Sequence, residues 1–301
     1  MDSVTDIVFT PAGGPKVQSS LKYPYPCKLY QPLNRCAYCG STEELSTEHI
    51  IPFGFGGKLI LPNASCEFHR KATSKIEDFI LRKYLSALRS YLSLPSRRPQ
   101  DRPNGYKLTL RRGGHTWKQK VSLADHPGVV AFMIFDPAGR TCGRSRDPQT
   151  FSVRMIKAEI FPDTTQRLAR LGADSCEDQV VFNALDLARF TAKIGQCFAV
   201  AELGIEAFEE MYVTYLFDYE VIDGKVVLKE ARDWNYWVGG YERGREVQAK
   251  ELHELRFLKR GDDLSVIVHL FVPYCPRYAF EVIVGRLRSG VEIPPELDES
   301  L

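Results

Sequence analysis

The sequence predicts an α+β protein in two unequal parts: a short segment rich in cysteine and histidine near the N-terminus, then a larger mixed α+β region. Three observations predict it. Three of the eight cysteines and two of the six histidines fall between Cys36 and His69. Apolar residues at helical spacing follow directly after them, and alternating, strand-like runs dominate from residue 106 onward. With 301 residues, 44% of them hydrophobic and 26% charged, the chain has the apolar material for a substantial core and does not read as disordered.

Taken in order, residues 1–30 are rich in Gly, Pro and Ser and read as an irregular arm. Residues 31–94 form the first module. Within it "LSTEHIIPF" predicts the start of a strand and "GFGG" a forced turn. After His69, apolar residues at Ile76, Phe79, Ile80, Tyr84, Leu88 and Tyr91 predict one helix, stopped by Pro95. Residues 95–105, with three prolines among arginines and polar residues, predict a linker.

Residues 106–301 predict an α+β domain of unassigned role. "YKLTLRRGGHTWKQKV" alternates on either side of Gly113-Gly114 and predicts a hairpin, while "GVVAFMIF" and "FSVRMIKAEIF" predict further strands. "VFNALDLARFTAKIGQCFAVAELG" has the length and period of a buried helix closed by Gly204. "LSVIVHLFV" and "YAFEVIVGRL" return the chain to strands. The remaining residues of chemical interest read as structural: His115, His126, His253 and His269 have no ligand-spaced partner, and Cys27, Cys142, Cys176, Cys197 and Cys275 read as packed thiols. "WNYWVGGYERGR" is rich enough in aromatics to stack bases, but such strands more often build core.

The start of the chain lacks a basic segment leading into an apolar run, which predicts no secretory signal, and no apolar run reaches the length of about 18 residues that a membrane helix needs. These readings predict a cytoplasmic protein without a membrane partner. A reducing compartment also suits cysteines clustered for a metal better than a disulfide framework would.

Cys36-x2-Cys39 and Cys66-x2-His69 are two pairs separated by 26 residues. In each pair the x2 spacing lets one tight turn aim both side chains at one ion, and four such ligands make a closed tetrahedral site for structural Zn²⁺. Such a site supplies folding energy to a segment too short to have its own core. A rival reading takes His69 away as a ligand of a catalytic metal and leaves three cysteines.

Between the pairs lie Glu48-His49-Ile50-Ile51-Pro52, Gly54-x-Gly56-Gly57 and Pro62-Asn63. Enclosed by the two pairs and followed by a helix, this pattern resembles the HNH endonuclease family over residues 36 to about 80. The resemblance implies a ββα-metal fold in which zinc is structural and a separate divalent cation, Mg²⁺ or Mn²⁺, does chemistry. It implies His49 as the general base that activates water against a phosphodiester, Glu48 as a ligand of that cation, and Asn63 as the residue orienting the His49 loop. A neutral imidazole suits the first role and a hard carboxylate oxygen the second. The chain departs from the family pattern at three points. Glu48 stands where Asp is commoner, Asn63 lies closer to Cys66 than the middle Asn usually does, and Arg70 stands where Asn or His often ligates. Arginine cannot ligate a cation, so Thr73, Asn63, solvent or a substrate phosphate would complete the shell.

Net charge is only +2, but residues 70–120 hold fourteen Lys or Arg against three Asp or Glu. Lys75, Arg82 and Arg89, seven apart, fall near one line on the predicted helix, and with Arg70 and Lys71 they are the expected contacts to a nucleic-acid backbone, DNA being the expected substrate. The same basic helix suits an alternative, a zinc-stabilised module that binds nucleic acid without cutting it. Residues 106–301 resemble C-terminal regions attached to bacterial HNH proteins, through "LARFTAKIGQCFAVAELG" and the last Val-rich strands. That part is expected to recognise the target, contact a protein partner or make a homodimer.

Overall fold

The computed structural model describes residues 3–9, 26–146, 151–161, 163–223, 225–244 and 248–300. Ser3–Phe9 forms β1, so the arm expected to be irregular contributes a strand, paired antiparallel with Ser175–Phe182. Its residues from 10 to 25 lie outside the described residues. β2 (Cys27–Leu29) runs parallel to β4 (Lys58–Ser65), and β3 (Ser46–His49) pairs antiparallel with β4, placing Glu48 opposite Leu61 and His49 opposite Ile60. The turn between β3 and β4 is the predicted glycine turn. Gly56 is left-handed (φ 83°), and a Cβ on Gly57 would lie 1.7 Å from the Ile51 carbonyl oxygen, so only glycine fits there.

α1 (Glu67–Phe79) follows β4 directly, with Cys66 at its N-cap. The single helix expected to run on to Pro95 is interrupted. Ile80–Tyr84 is a widened turn in which the Leu85 N–H donates to the Ile80 carbonyl (2.9 Å), and α2 (Ser86–Tyr91) resumes beyond it. One extra residue in a turn rotates everything downstream by about 100°. That rotation takes Arg89 off the line it was expected to share with Lys75 and Arg82.

β5 (Tyr106–Arg112) and β6 (His115–Val121) form the expected hairpin, with Gly113 and Gly114 both at positive φ. β7 (Val129–Phe135) pairs with β8 (Val153–Glu159), then come α3 (Thr164–Arg170), β9 (Ser175–Phe182) and α4 (Ala184–Leu203), whose cap Asn183 accepts from the Asp186 N–H. β10 (Phe208–Met211), the hairpin β11 (Tyr219–Ile222) and β12 (Lys225–Leu228), and α5 (Trp234–Trp237) lead to β13 (Val238–Glu242), β14 (His253–Arg260), β15 (Asp263–Leu270) and β16 (Tyr278–Leu287). β16 is central in its sheet, with β15 along one edge and β10 and β13 sharing the other. The architecture is mixed α and β, and among the described strands the pairing is antiparallel except for β2 with β4.

α4 is buried from Leu187 to Val200. It packs on β15 and β16 with one side and on α1 with another, so one hydrophobic core runs from Tyr30 through Phe55 and Leu88 to Phe190, Phe271 and Leu287. Trp234 and Trp237 belong to that core, which settles the aromatic strand as packing. Cys176, Cys197 and Cys275 are packed as expected, whereas Cys27 and Cys142 are exposed. His253 and His269 are fully buried, bonded to the Phe55 and Cys275 carbonyls, and burial pushes both down to about 4. Among the described residues, no helix is long and apolar enough to cross a membrane.

Candidate functional site

The two ligand pairs meet because the fold brings a tight turn and a helix start together. Gly40 N–H closes on the Cys36 carbonyl (2.9 Å), and the Ala37 N–H donates to the Ala64 carbonyl (2.8 Å), which anchors the Cys36–Cys39 turn to the end of β4. Cys66 and His69 occupy the N-cap and first turn of α1, where the helix dipole favours a thiolate. The ligand atoms of Cys36, Cys39, Cys66 and His69 lie within 4.8 Å of one another.

These distances suit zinc. Zn–S bonds of about 2.3 Å place tetrahedral sulfurs about 3.8 Å apart, and Zn–N bonds of about 2.0 Å place nitrogen about 3.5 Å from sulfur. Cys39 and Cys66 sulfurs are 3.9 Å apart, and His69 Nδ1 lies 3.2 Å from Cys66 and 3.5 Å from Cys36. His69 Nε2 faces the Phe217 carbonyl at 3.3 Å and donates to it, which leaves the Nδ1 lone pair for the ion. His69 therefore completes the cysteine set, and the rival reading that leaves three cysteines is not the arrangement found. Burial pushes the Cys36 thiol up to about 12, so its thiolate needs a cation beside it.

Beyond this cluster an open cleft of about 520 Å³ runs between the β3–β4 turn, α1, α2 and residues 96–103. Its lining includes Glu48, His49 and Glu77 together with six arginines, Arg70, Arg82, Arg89, Arg97, Arg98 and Arg102. His49 is partly open to the cleft and meets Phe53 edge-on, with ring centres 6.2 Å apart, while the Arg97 guanidinium sits 6.0 Å from the same Phe53 ring. Burial, and then the Lys193 and Arg97 charges, hold His49 below its ordinary value, so its imidazole is neutral at working pH.

The expected phosphate contacts divide. Arg70 makes a two-pronged bond to Glu67 (2.7 and 2.8 Å), Lys71 pairs with the same carboxylate (3.0 Å), and Arg82 pairs with Asp78 (2.5 Å), all on the exposed helix surface where such pairs open at little cost. Lys75 is exposed and lies outside the cleft lining. Arg89 donates to the carbonyls of Gly54 (2.9 Å), Leu81 (3.1 Å) and Pro95 (3.2 Å), so it braces the β3–β4 turn against the helix. Asn63 is exposed, left-handed (φ 50°) and donates to Asn34 (3.0 Å). It lies outside the cleft lining and bonds the loop before Cys36, not the loop of His49. Thr73 lines the cleft, but its hydroxyl donates back to the His69 carbonyl (2.9 Å).

Glu48 is 6% exposed, and its carboxylate meets the Lys193 ammonium of α4 at 2.7 Å. The same ammonium meets Glu77 at 2.9 Å and donates to the carbonyls of Ile50 (3.2 Å) and His49. Gln196 and Cys197, three and four residues on and so on the same helix face, donate to the Ala37 carbonyl (2.5 Å) and meet the Tyr38 hydroxyl (3.3 Å). Burial alone would lower the Lys193 pKa, but Glu48 and Glu77 together hold it well above the ordinary lysine range, so it is charged.

The carboxylates therefore do not fit a Mg²⁺ or Mn²⁺ ion. The Lys193 ammonium occupies the place between the two carboxylates, and at about 4 Å and an effective dielectric near 20 it opposes a divalent ion by about 8 kcal/mol, which offsets the attraction of one of them. Glu77, Lys193 and the arginines of residues 96–103 were missed from sequence. The signal present was a set of polar residues, Arg189, Thr191, Lys193 and Gln196, inside the stretch expected to be a buried helix. Comparison with models of known families, with curated proteins and with solved structures finds no match.

Proposed function

We propose that the chain hydrolyses nucleic-acid phosphodiester bonds, with DNA as its substrate, using the general-base histidine of the HNH endonucleases that its motif resembles but without their divalent cation. The observation that carries the reading is the placement of His49. A neutral imidazole, held on a strand beside the zinc cluster, opens into a cleft whose other walls present arginines. In this reading a backbone phosphate lies between Arg97 and Arg98, which are exposed at the cleft, and arginine donors face the oxygens that gain charge as the bond forms. His49 takes a proton from water, the water oxygen bonds to phosphorus, one ester P–O bond breaks, and the leaving oxygen takes a proton from solvent. Cys36, Cys39, Cys66 and His69 would hold a structural zinc ion that ties the Cys36–Cys39 turn to the start of α1, apart from the step itself.

A second reading, a zinc-stabilised module that binds nucleic acid without cutting it, is favoured by the pairing of Glu48 with Lys193. Plasmid nicking separates the two. Zinc-loaded protein in metal-depleted buffer, with and without added Mg²⁺ or Mn²⁺, is compared with His49→Ala. Nicking that disappears in the variant supports the hydrolase, and its rate should rise with pH through a midpoint below 6.5, the ordinary histidine value. Plasmid binding by both chains with nicking by neither would replace the hydrolase with the binding module.

A further inference from the structure

We infer that Lys193 is the permanent cation of this site, its ammonium filling the position between Glu48 and Glu77 that a divalent ion would need. The inference deepens the phosphodiesterase reading and rests on it for the identity of the cleft. Four oxygens surround the ammonium: Glu48 Oε1 at 2.7 Å, Glu77 Oε1 at 2.9 Å, the Ile50 carbonyl at 3.2 Å and the His49 carbonyl. An ammonium has three N–H donors, so every one has a partner and the shell is complete.

The position is enforced by the fold. Lys193 is 1% exposed, and its four-carbon stem descends from a helix buried along fourteen consecutive residues. Gln196 and Cys197 fix the same helix face against Ala37 and Tyr38, so withdrawing the ammonium means moving α4. If the ammonium left, the His49 and Ile50 carbonyls would lose a donor and Glu48 would stand as an uncompensated buried charge. What remains open to the cleft is Glu77, whose side chain is 22% exposed. A single carboxylate with water is a weak site for Mg²⁺ or Mn²⁺, which favour several oxygen ligands. Positive charge toward a phosphate then comes from the protein itself, from Arg97 and Arg98 at the cleft, and chemistry there proceeds without a divalent cofactor.

The test is a Mn²⁺ titration of the zinc-loaded full chain without nucleic acid, read by the electron paramagnetic resonance signal of free Mn²⁺. Mn²⁺ binds such ligands more weakly than zinc and leaves the zinc cluster loaded. The native chain and Glu48→Gln should both leave Mn²⁺ free up to about 1 mM, and Lys193→Met should gain a site at least about tenfold tighter, lost again in Lys193→Met/Glu48→Gln. A native chain that binds one Mn²⁺ in the micromolar range and loses it in Glu48→Gln overturns the inference. So does a folded Lys193→Met chain that gains no site. Should that variant not fold, the comparison of native with Glu48→Gln decides alone. A His49→Ala chain that nicks like the native would sink His49 as the base and leave the Mn²⁺ result standing, while a Glu48-dependent Mn²⁺ site would sink the fixed cation and leave the His49 mechanism standing.

Discussion

Replacing Lys193 with methionine keeps most of the apolar stem and removes only the charge and its donors, which makes it the sharpest perturbation of the shared core. Of its two carboxylate partners, Glu77 is 22% exposed in its side chain and can turn to water, whereas the Glu48 side chain is 8% exposed and cannot. The cost is therefore set by Glu48: breaking a buried pair from one side is worth about 3–5 kcal/mol. Against a typical total of about 5–15 kcal/mol this is a large fraction, and at roughly 2–4 °C per kcal/mol it lowers the melting temperature by about 6–20 °C.

The loss should also depend on pH. Burial already raises Glu48 above its ordinary 4.5, against the pull of Lys193, and losing the lysine raises it further. Above pH 4.5 the folded variant keeps a proton that the unfolded chain releases, so its stability falls as pH rises through that window, and its deficit against the native chain grows. Thermal melts at pH 5 and pH 8, with Glu48→Gln added to close the double-mutant cycle, measure this directly. A Lys193→Met chain that melts within about 2 °C of the native at pH 8, or whose deficit Glu48→Gln does not relieve, refutes the argument.

Cys39→Ala should reduce bound zinc from about one equivalent per chain, read by elemental analysis, and lower the melting temperature, because zinc binding and folding of this segment are one equilibrium; unchanged zinc content would remove the metal centre. Arg97→Ala and Arg98→Ala should weaken DNA binding and each reduce its salt slope by about 0.9, while leaving the melting temperature unchanged. Arg89→Ala should do the reverse, costing roughly 2 kcal/mol of stability through the stranded Gly54, Leu81 and Pro95 carbonyls, so a fall in affinity without a fall in stability would contradict its bracing role.

The features legible in the sequence are those whose cause is local. The x2 spacings made each ligand pair legible, because a pair needs only a turn or a helix start, while the Ala37–Ala64 bond that helps bring the two pairs together was not. Gly113-Gly114 fixed its hairpin because both residues take positive φ, and the length and period of α4 sufficed for a buried helix. The features that were not legible depend on distant partners. Ser3–Phe9 becomes a strand by pairing with Ser175–Phe182, and the widened turn at Ile80–Tyr84 accompanies the reach of Arg89 to the Gly54 carbonyl. A periodicity reading treats each helix as straight and each strand as self-sufficient, so it registers neither effect.

Lys193 shows why this matters at the site itself. A motif fixes which side chains stand next to each other along a strand, but not which charge the rest of the chain places against them. Glu48 and His49 are adjacent in sequence, yet Glu48 is tied to a helix from the other half of the chain while His49 opens to the cleft. The alternation of a β-strand accounts for that division: successive side chains leave opposite faces, and the inward face meets α4. Since α4 touches the Cys36–Cys39 turn through Gln196 and the carboxylates and the His49 carbonyl through Lys193, the cluster of three cysteines and one histidine and His49 itself are held by the same rigid element. The position of His49 thus depends on the packing of α4 on β15 and β16, elements that lie more than two hundred residues further along the chain.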